Sequence, residues 1–396
     1  MSYNDWSDLK ISSLGEIVSG GTPSTKIDDY WDGNISWITP KDLSGYNDRF
    51  ISRGERMISN KGLNNSSARI LPKGSVLFSS RAPIGYVAIA SNELTTNQGF
   101  KSIVPNSDNY NLFIYYLLRY KTNDIKNIAG GSTFSEISGS AFKNIDIKVP
   151  GLHEQKLIAN ILSSLDDKIE LNNKINKNLE ELTQTLYKQW FVDFEFPNED
   201  GEPYKSSGGE MVESELGLIP KGWFVKEQGE YFPVITGKKN ANIATSDGKY
   251  KFFTCSQEVY LTDNYSFEGD AILVAGNGDF NVKYYSGKFE AYQRTYVLIP
   301  HNKKLSGILY FAIQHNLNDI TSGSRGSVIS FITKGHIENF KVVFPNTTKL
   351  EKLGNIFKNI LISIANNNEE NDRLSKLRDE LLPKLMNGEI EVPIEE

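Results

Sequence analysis

The stretch that decides the fold is Leu152–Phe194, LHEQKLIANILSSLDDKIELNNKINKNLEELTQTLYKQWFVDF, where apolar residues recur at the spacing of coiled-coil heptads. With Ile158 at position a, the following a positions are Leu165, Asn172, Leu179 and Leu186, and Ile161, Ile175 and Leu182 occupy position d. Lys168 and Gln189 interrupt position d, but neither proline nor glycine follows Gly151 within the stretch. The pattern predicts one helix of about 60 Å at 1.5 Å per residue. Such a helix needs a partner of similar length to bury its apolar stripe.

The partner lies 195 residues further along the chain. A second heptad run carries Leu353, Ile360, Asn367, Leu374 and Leu381 at position a, with Ile356 and Leu377 at position d. The polar residue is repeated too, since Asn172 and Asn367 have the same phase. An asparagine at position a costs stability but specifies register. We therefore predict that the two helices pair in a fixed register; antiparallel pairing about a pseudo-twofold axis would bring these asparagines close together.

The same offset relates most of the C-terminal part of the segments that precede the helices, and it breaks near the starts of those segments, where Gly15-Glu16 pairs better with Gly229-Glu230. Gly74 corresponds to Gly269, and Pro150 corresponds to Pro345. A constant offset predicts an internal duplication of module and helix. The expected segments are a first module at 1–150, a long helix at 151–196, a polar Pro/Gly linker at 197–220 expected to be mobile, a second module at 221–345, and a second long helix with a tail at 346–396.

Short strands and turns dominate the sequence of the first module. Residues 75–78 and 85–90 have the composition of a hairpin, and Phe142, Ile145, Ile147 and Val149 approach the alternation of a final strand. Residues 111–120, NLFIYYLLRY, are apolar enough for a buried helix. The module therefore combines β-strands with short helices.

Composition indicates a globular protein without disulfides or a membrane span. Hydrophobic residues make up 39% of the chain and charged residues 23%. Cys255 is the only cysteine, and the four histidines lack ligand spacing, so no metal site is predicted. No apolar run approaches eighteen residues, and the N-terminus is unlike a signal peptide, so we expect a cytoplasmic protein.

Charge is distributed unevenly along the chain. The net charge is −6, yet residues 1–150 carry 16 Lys and Arg against 14 Asp and Glu, and residues 221–345 carry 14 against 11. The helices and the linker are acidic. Two mildly basic modules are compatible with DNA contact but are weak evidence for it.

Catalytic motifs are absent from the sequence. It has no Asn-Pro-Pro-aromatic or Asp-Pro-Pro-aromatic tetrapeptide, no P-loop and no arrangement typical of a nucleophilic triad. Gly276-Asn277-Gly278 predicts a turn, and the acidic run 199–202 predicts a solvated linker. The chain is therefore predicted to be non-catalytic, with no catalytic residues of its own.

Sequence readout of DNA needs polar side chains on loops that reach base edges, together with groups that fix phosphates. Loop-borne candidates in the first module are Thr39, Lys41, Ser80, Arg81, Asn97, Gln98, Ser132 and Thr133. In the second module they are Lys238, Lys239, Asn277, Asn281, Lys283, Gln293, Arg294, Arg325 and Ser327. For each of these, the alternative is a structural residue that satisfies a turn.

Several short motifs, in order and spacing, make the chain resemble the specificity (S) subunit of bacterial Type I restriction-modification systems. They are Gly20-Gly21-Thr22-Pro23, 37–42, Thr96-Asn97-Gln98-Gly99-Phe100, the run from Leu186 to Phe194, Ile219–Trp223 and the tail Leu377–Ile390. The second module departs from the pattern, because Thr236-Gly237-Lys238-Lys239 replaces the GGTP motif and Ala291–Thr295 replaces the TNQGF motif.

The resemblance implies an α+β fold with two tandem, pseudo-twofold-related target-recognition domains of mixed β-sheet and short helices, separated by two long helices that form an antiparallel coiled coil. Each domain would read one half of a split site in double-stranded DNA. The helices would act as spacer and docking site for two methyltransferase (M) subunits. The expected cofactors belong to partners: S-adenosylmethionine to M, which methylates adenine N6 after base flipping, and ATP and Mg²⁺ to two restriction (R) subunits.

Two other function classes remain open from the residues alone. One is an enzyme with its own methyltransferase or nuclease centre built from the recognition loops. The other is a coiled-coil scaffold whose modules bind protein or glycan. Turnover by the chain alone would favour the first, and binding that ignores DNA and salt would favour the second.

Overall fold

The computed structural model describes residues 6–129, 136–322 and 331–392. The chain divides into two compact units, of which unit 1 comprises Met1–Leu171 with Glu370–Glu396 and unit 2 comprises Asn172–Glu369. Both boundaries fall within long helices, so each unit contains one module and a part of each helix.

The first module is built from three small sheets. Its elements are β1 (Ser7–Lys10), β2 (Gly15–Ser19), β3 (Trp31–Ile38), β4 (Phe50–Ile51), β5 (Arg56–Ile58), α1 (Asn60–Asn64), β6 (Val76–Ser80), β7 (Ile84–Ala90), β8 (Thr95–Thr96), β9 (Lys101–Pro105), α2 (Asn111–Ile128), α3 (Gly139–Lys143) and β10 (Asp146–Val149). Strand order is β2-β9-β6-β7-β4 in the largest sheet, β5-β3-β8 in the second, and β1-β10 in the third. Parallel and antiparallel pairs are mixed, since β4 runs parallel to β7.

The sequence correctly predicts the hairpin and the buried helix of this module. β6 and β7 pair antiparallel, and α2 contributes Phe113, Ile114, Tyr116, Leu117 and Leu118 to the core at 2% exposure or less. The helix continues to Ile128, beyond the apolar run. The apolar pattern marks the part of the helix that is buried, and hydrogen bonding extends the helix into residues that face solvent.

The second module repeats this plan with a larger sheet. Its elements are β11 (Met211–Ser214), β12 (Gly217–Pro220), β13 (Trp223–Glu227), β14 (Val234–Thr236), β15 (Tyr250–Phe253), β16 (Val259–Thr262), β17 (Phe267–Ala275), β18 (Val282–Ala291), β19 (Thr295–Leu298), α5 (Ser306–His315), α6 (Leu317–Ser322), α7 (Lys334–Glu338) and β20 (Lys341–Pro345). The six-stranded sheet has the order β14-β19-β17-β18-β15-β16, and β13 pairs with β20 as β1 pairs with β10. The α+β class with mixed sheets is thus confirmed in both modules.

Residues 197–220, predicted to be a mobile linker, contain regular structure. β11 and β12 form an antiparallel hairpin. Phe196, just before this segment, is 1% exposed and stacks between Tyr204 and Trp223 at centroid distances of 4.6 and 4.7 Å. The Pro/Gly composition indicated turns, but a buried aromatic contact fixes the segment on the second module.

The two long helices are α4 (Leu152–Tyr187), which ends in a π-helical turn at Lys188–Val192, and α8 (Thr347–Met386), which contains Pro383. The predicted a positions lie on the packed side, since Ile158 and Asn172 are each 1% exposed and the other eight are half-buried. The prediction that the residues at position d form part of the seam is wrong. Exposure there is 37% for Ile161, 39% for Ile175, 61% for Leu182, 42% for Ile356 and 45% for Leu377.

Position e completes the seam in place of position d. Exposure at e is 1% for Gln155, 0% for Leu162, 7% for Asn176, 0% for Thr183, 0% for Phe357, 6% for Ile364, 9% for Asn371 and 1% for Leu385. Positions a and e alternate by four and three residues, as positions a and d alternate by three and four, so both spacings satisfy a heptad. Polar residues at e concealed this seam from a purely apolar pattern.

Helix contacts run antiparallel within each unit. In unit 1, Arg378 contacts Asp166 and Glu370 contacts Lys168. In unit 2, the amide of Asn367 donates to Asn176 at 2.7 Å, and the amide of Asn176 donates to Asn368 at 2.9 Å. Asn367 therefore bonds Asn176, which lies one helical turn beyond Asn172, the residue predicted to lie close to Asn367.

A buried polar cluster joins three helices of unit 1. The carboxylate of Asp166, 4% exposed, accepts a hydrogen bond from the Tyr116 hydroxyl at 2.6 Å and one from Arg378 at 2.5 Å. Arg119 lies 4.0 Å from the same carboxylate. α2, α4 and α8 are thereby held together by one charged group.

Unit 2 has uncharged residues at the corresponding positions. At the offset of 195, Tyr116 becomes Phe311 and Asp166 becomes Leu361, while Arg378 corresponds to Thr183. Phe357 in α8 is fully buried against the rings of Tyr187, Phe191 and Phe311 at centroid distances of 6.4, 5.9 and 6.0 Å. The two units therefore use different chemistry for the same joint.

We predict that Arg378→Met lowers the free energy of unfolding by about 3 kcal/mol, because it leaves the Asp166 charge buried without its main partner. The double variant Asp166→Leu with Arg378→Met should recover most of that loss. Urea unfolding measures both. The matched control is Lys168→Met, which removes a half-exposed ion pair and should cost less than about 1 kcal/mol. Equal losses for Arg378→Met and Lys168→Met would contradict the assignment.

Candidate nucleic-acid interface

In the first module, the candidate interface is built on two loops that hold each other. The Gly21 amide donates to the Thr96 carbonyl at 2.9 Å, and the Thr22 hydroxyl donates to the Gln98 side chain. The indole of Trp37 donates to the Gly21 carbonyl at 2.9 Å. The Gly20-Gly21-Thr22-Pro23 and Thr96–Phe100 motifs are thus one structural unit.

Gly20 is required by this close approach. A Cβ atom there would lie 2.1 Å from the Asn97 carbonyl oxygen and 2.2 Å from that of Thr96. In the second module, a Cβ atom on Gly237 would lie 2.3 Å from the carbonyl oxygens of both Ala291 and Tyr292, which are 195 residues after Thr96 and Asn97. The second module therefore keeps the critical glycine although it lacks the GGTP sequence.

Thr39 and Lys41 lie in and beside a short 3₁₀ turn at Pro40–Leu43. Thr39 caps this turn, with its backbone amide and its hydroxyl both donating to Asp42 at 2.7 and 2.6 Å. Lys41 is exposed and pairs with Glu55 at 2.7 Å. Thr39 has a structural role here, whereas Lys41 is accessible to a ligand.

Ser80 and Arg81 lie where β6 ends. Ser80 is fully buried, and both its amide and its hydroxyl donate to the Gly99 carbonyl at 2.7 and 3.1 Å. Arg81 forms an isolated strand bridge with Glu136, and their side chains lie 3.5 Å apart. The burial of Ser80 leaves Arg81 as the accessible member of the pair.

Asn97 and Gln98 differ in the direction of their side chains. The Asn97 side-chain oxygen accepts from the Gly99 amide at 2.9 Å, which fixes the loop. Gln98 is exposed beside Thr22. Gln98 is therefore better placed than Asn97 to meet a ligand.

The second module presents a corresponding set of loops. Four residues are exposed: Lys238, Lys239, Gln293 and Arg294. The backbone N–H of Gln293 donates to the Lys239 carbonyl at 2.9 Å. Among the described residues, no side-chain hydrogen bond or ion pair occupies these four side chains. Four flexible polar groups thus share one pair of linked loops.

Asn277 and Asn281 lie in the turn between β17 and β18, whereas Lys283, predicted to lie on a loop, belongs to β18. Asn281 is 8% exposed and donates to the carbonyls of Cys255 and Asp279 at 3.0 and 2.7 Å. Lys283 donates to the Ser256 carbonyl at 2.6 Å, and burial lowers the pKa of its amine. Asn277 forms an isolated bridge with Phe331, the counterpart of the Arg81–Glu136 bridge.

Ser132, Thr133, Arg325 and Ser327 lie outside the described residues. Their participation in a site remains a prediction from the sequence.

Sequence reasoning missed the aromatic support of the first-module loops. The Trp31 indole donates to the Ser24 carbonyl at 3.1 Å, and its ring meets Trp37 edge-on at 5.0 Å. The Arg56 guanidinium lies 3.5 Å from the centre of the Trp31 ring. Two tryptophans in one strand could have signalled this support.

Neither a metal centre nor a membrane helix is found in the described ranges. No group of three or more His, Cys, Asp or Glu residues there could hold a metal ion. None of the helices in those ranges is both long and apolar enough to cross a membrane.

The family model described as "Type I restriction modification DNA specificity domain" matches residues 3–181 and 220–376. The chain belongs to this family. The two matches cover both modules and most of both long helices, so the duplication deduced from the offset of 195 corresponds to two copies of the specificity domain.

Two relatives and one solved structure support the assignment. The Type I restriction enzyme MjaIX specificity subunit of Methanocaldococcus jannaschii is 36% identical, over 98% of this chain and 94% of its own length. The EcoDI specificity subunit of Escherichia coli is 38% identical over 44% of this chain and 40% of its own. The crystal structure of a Type I S subunit from M. genitalium covers 96% of both chains, with a TM-score of 0.61 and 18% identity, and so shares the fold.

We predict that Asn97→Ala lowers the free energy of unfolding by about 1 kcal/mol, because the Gly99 amide loses its acceptor. Gln98→Ala should cost less, about 0.5 kcal/mol or below, because the hydrogen bond that Gln98 accepts from the Thr22 hydroxyl is exposed to solvent. Thermal unfolding of both variants measures this difference. A larger loss for Gln98→Ala than for Asn97→Ala would mean that the Thr22–Gln98 hydrogen bond is the main support of the loop.

Proposed function

We propose that this chain is the DNA specificity subunit of a Type I restriction-modification complex, and that each module reads one half of a bipartite site. The observation that carries the proposal is the repetition of one loop scaffold in both modules. Gly20 and Gly237 make the same close approach to carbonyls 195 residues apart. A repeated scaffold with different loop side chains is what reading two different half-sites requires.

The exposed side chains fit the chemistry of base and phosphate recognition. Gln293 and Arg294 in the second module can bond base edges in the major groove, and Lys238 and Lys239 can contact phosphates. In the first module, Gln98 corresponds to Gln293 at the offset of 195, and the exposed Lys41 lies in the 3₁₀ turn at Pro40–Leu43. The buried Ser80 and Asn281 are better explained as loop supports.

The long helices would set the distance between half-sites. Two weak readers linked by a stiff connector bind as one strong reader, because the second binding event becomes intramolecular. The seam at positions a and e supplies stiffness within each unit. The linked readers would then select sites by spacing as well as by sequence.

Methyl transfer and cleavage would be carried out by partner subunits. M subunits with S-adenosylmethionine would methylate adenine N6 of a flipped base, and R subunits with ATP and Mg²⁺ would cut. This chain would supply recognition and placement. Acting on DNA, the assembly is expected in the cytoplasm.

Exposed apolar residues at position d support docking of two M subunits. Ile161 and Ile356 are related by the offset of 195, as are Leu182 and Leu377. Unit 1 contains Ile161 with Leu377, and unit 2 contains Ile356 with Leu182, all of them 37% to 61% exposed. Single exposed apolar residues are ordinary, but the same pair in each unit suggests two equivalent docking sites, one for each M subunit.

We expect the chain, purified with its M subunits, to select a bipartite sequence from random duplexes. A constant spacer should separate the two half-sites. Replacing Gln293 and Arg294 with alanine should relax selection at one half-site only, by about 1–3 kcal/mol per lost bidentate contact. Selection followed by sequencing measures this. Recovery of no bipartite sequence would refute the proposal, as would methylation or cleavage of DNA by the chain alone.

We predict that Leu182→Glu and Leu377→Glu each remove one M subunit from the complex, because a carboxylate in an apolar contact must lose its hydration. Native mass spectrometry should show complexes with one M subunit for each single variant and none for the double variant. Leu216→Glu is the matched control, since Leu216 is 51% exposed in the turn between β11 and β12. Two retained M subunits in the double variant would rule out this docking site.

A further inference from the structure

A polar groove of about 550 Å³ lies beside β2 in the first module. Its polar lining residues are Ser12, Ser19, Ser140, Lys143 and Asn144. Three hydroxyls, an amide and an amine provide many hydrogen-bond donors. No step of the proposed sequence readout uses this groove.

Lys101 lies on the same side of the sheet as the groove. It pairs with Ser19 in the antiparallel β2–β9 ladder, and paired residues project to the same face. Its Cε atom lies 3.8 Å from the position that a Cβ atom of Gly139, another groove residue, would occupy. The Lys101 side chain therefore borders the wall of the groove.

Lys101 is an enclosed lysine whose charge has no partner among the described residues. The residue is only 7% exposed, and lysines are rarely buried this deeply without a partner. Across residues 6–129, 136–322 and 331–392, its amine has no hydrogen-bond acceptor and no ion pair. Burial lowers the pKa of this amine, and nearby Arg81 lowers it further, while Glu136 opposes both.

Cations outnumber anions around this position. Arg81 and Lys101 share the single carboxylate of Glu136, which lies 3.5 Å from Arg81. Lys143 in the groove is exposed and forms no ion pair within the described ranges. An anion entering the groove would relieve this repulsion and would offer Lys101 a hydrogen-bond acceptor.

In the second module, a neutral residue occupies the position that corresponds to Lys101. Tyr296 corresponds to Lys101 at the offset of 195, and its hydroxyl donates to the Ile332 carbonyl at 2.8 Å. Ile332 itself corresponds to Ile137. A tyrosine therefore satisfies this site by an internal hydrogen bond, whereas the first module keeps a cation there.

We propose that the groove beside β2 is an anion site in which Lys101, Lys143 and the serine hydroxyls bind a phosphate group. This inference rests on the function proposed above: the phosphate belongs to the DNA backbone beside the half-site that the first module reads. Such a contact fixes orientation and carries no sequence information. The first module would thus hold the backbone in a way that the second does not.

Two substitutions test the site in the complex with M subunits on its selected DNA. Lys101→Met removes the amine, and Lys101→Tyr copies the arrangement of the second module and so provides a variant with a folded precedent. We expect both to reduce the slope of log affinity against log salt concentration by about one unit, as for one lost phosphate contact. Lys101→Arg should retain the slope. Lys73→Met, an exposed lysine of the same module, removes the same charge and should leave the slope unchanged.

A second measurement probes the groove without DNA. Inorganic phosphate, compared with chloride at equal ionic strength, should raise the thermal midpoint of the wild-type chain and not that of Lys101→Tyr. Equal stabilisation of both, or unchanged salt slopes in both Lys101→Met and Lys101→Tyr, would overturn the anion site. If the wild-type complex selects no DNA sequence, the proposed function fails, and the phosphate measurement alone decides the groove.

Discussion

The packing of the helices in unit 1 depends on the hydrogen bonds and ion pair of the Asp166 carboxylate. This carboxylate accepts hydrogen bonds from Tyr116 in α2 and from Arg378 in α8 while itself belonging to α4. A buried carboxylate is costly unless its charge is paired and its oxygens are bonded. Only an arrangement that brings all three helices together satisfies that requirement, so the first module, the central helix and the C-terminal helix are fixed by one group.

In unit 2, the corresponding contact between the module helix and the long helices is formed mainly by apolar side chains. Leu361 stands at the position of the carboxylate and Phe311 at that of the tyrosine, and the fully buried Phe357 lies 6.0 Å from the Phe311 ring. Apolar contacts tolerate small displacements better than a hydrogen-bonded charge does, because dispersion and burial are not directional. The duplicated halves therefore share a fold but differ in the contact between the module helix and the two long helices. The polar contact in unit 1 is more directional and so favours the correct partner helix.

The residues that support the loops differ from those proposed to read DNA. The side chains of Ser80, Asn97 and Asn281 form hydrogen bonds with neighbouring backbone groups. Gln293 and Arg294, by contrast, are exposed on loops that other residues support. A recognition loop needs both kinds of residue, since a side chain selects a base only if its backbone is fixed. This division allows the exposed residues to change with little cost to the fold.

The sequence by itself determined the duplication, the two long helices, the hairpin of the first module and the buried helix that begins at Asn111, because each follows from apolar spacing or from a constant offset. Only the tertiary structure decided that position e forms the seam, that Phe196 anchors the supposed linker and that Lys101 is buried. Polar residues such as Asn176 carry no apolar signal, and their burial depends on partners about 190 residues away. The candidate loops could be predicted from residue type, but which side chain supports and which is free depends on contacts formed by folding.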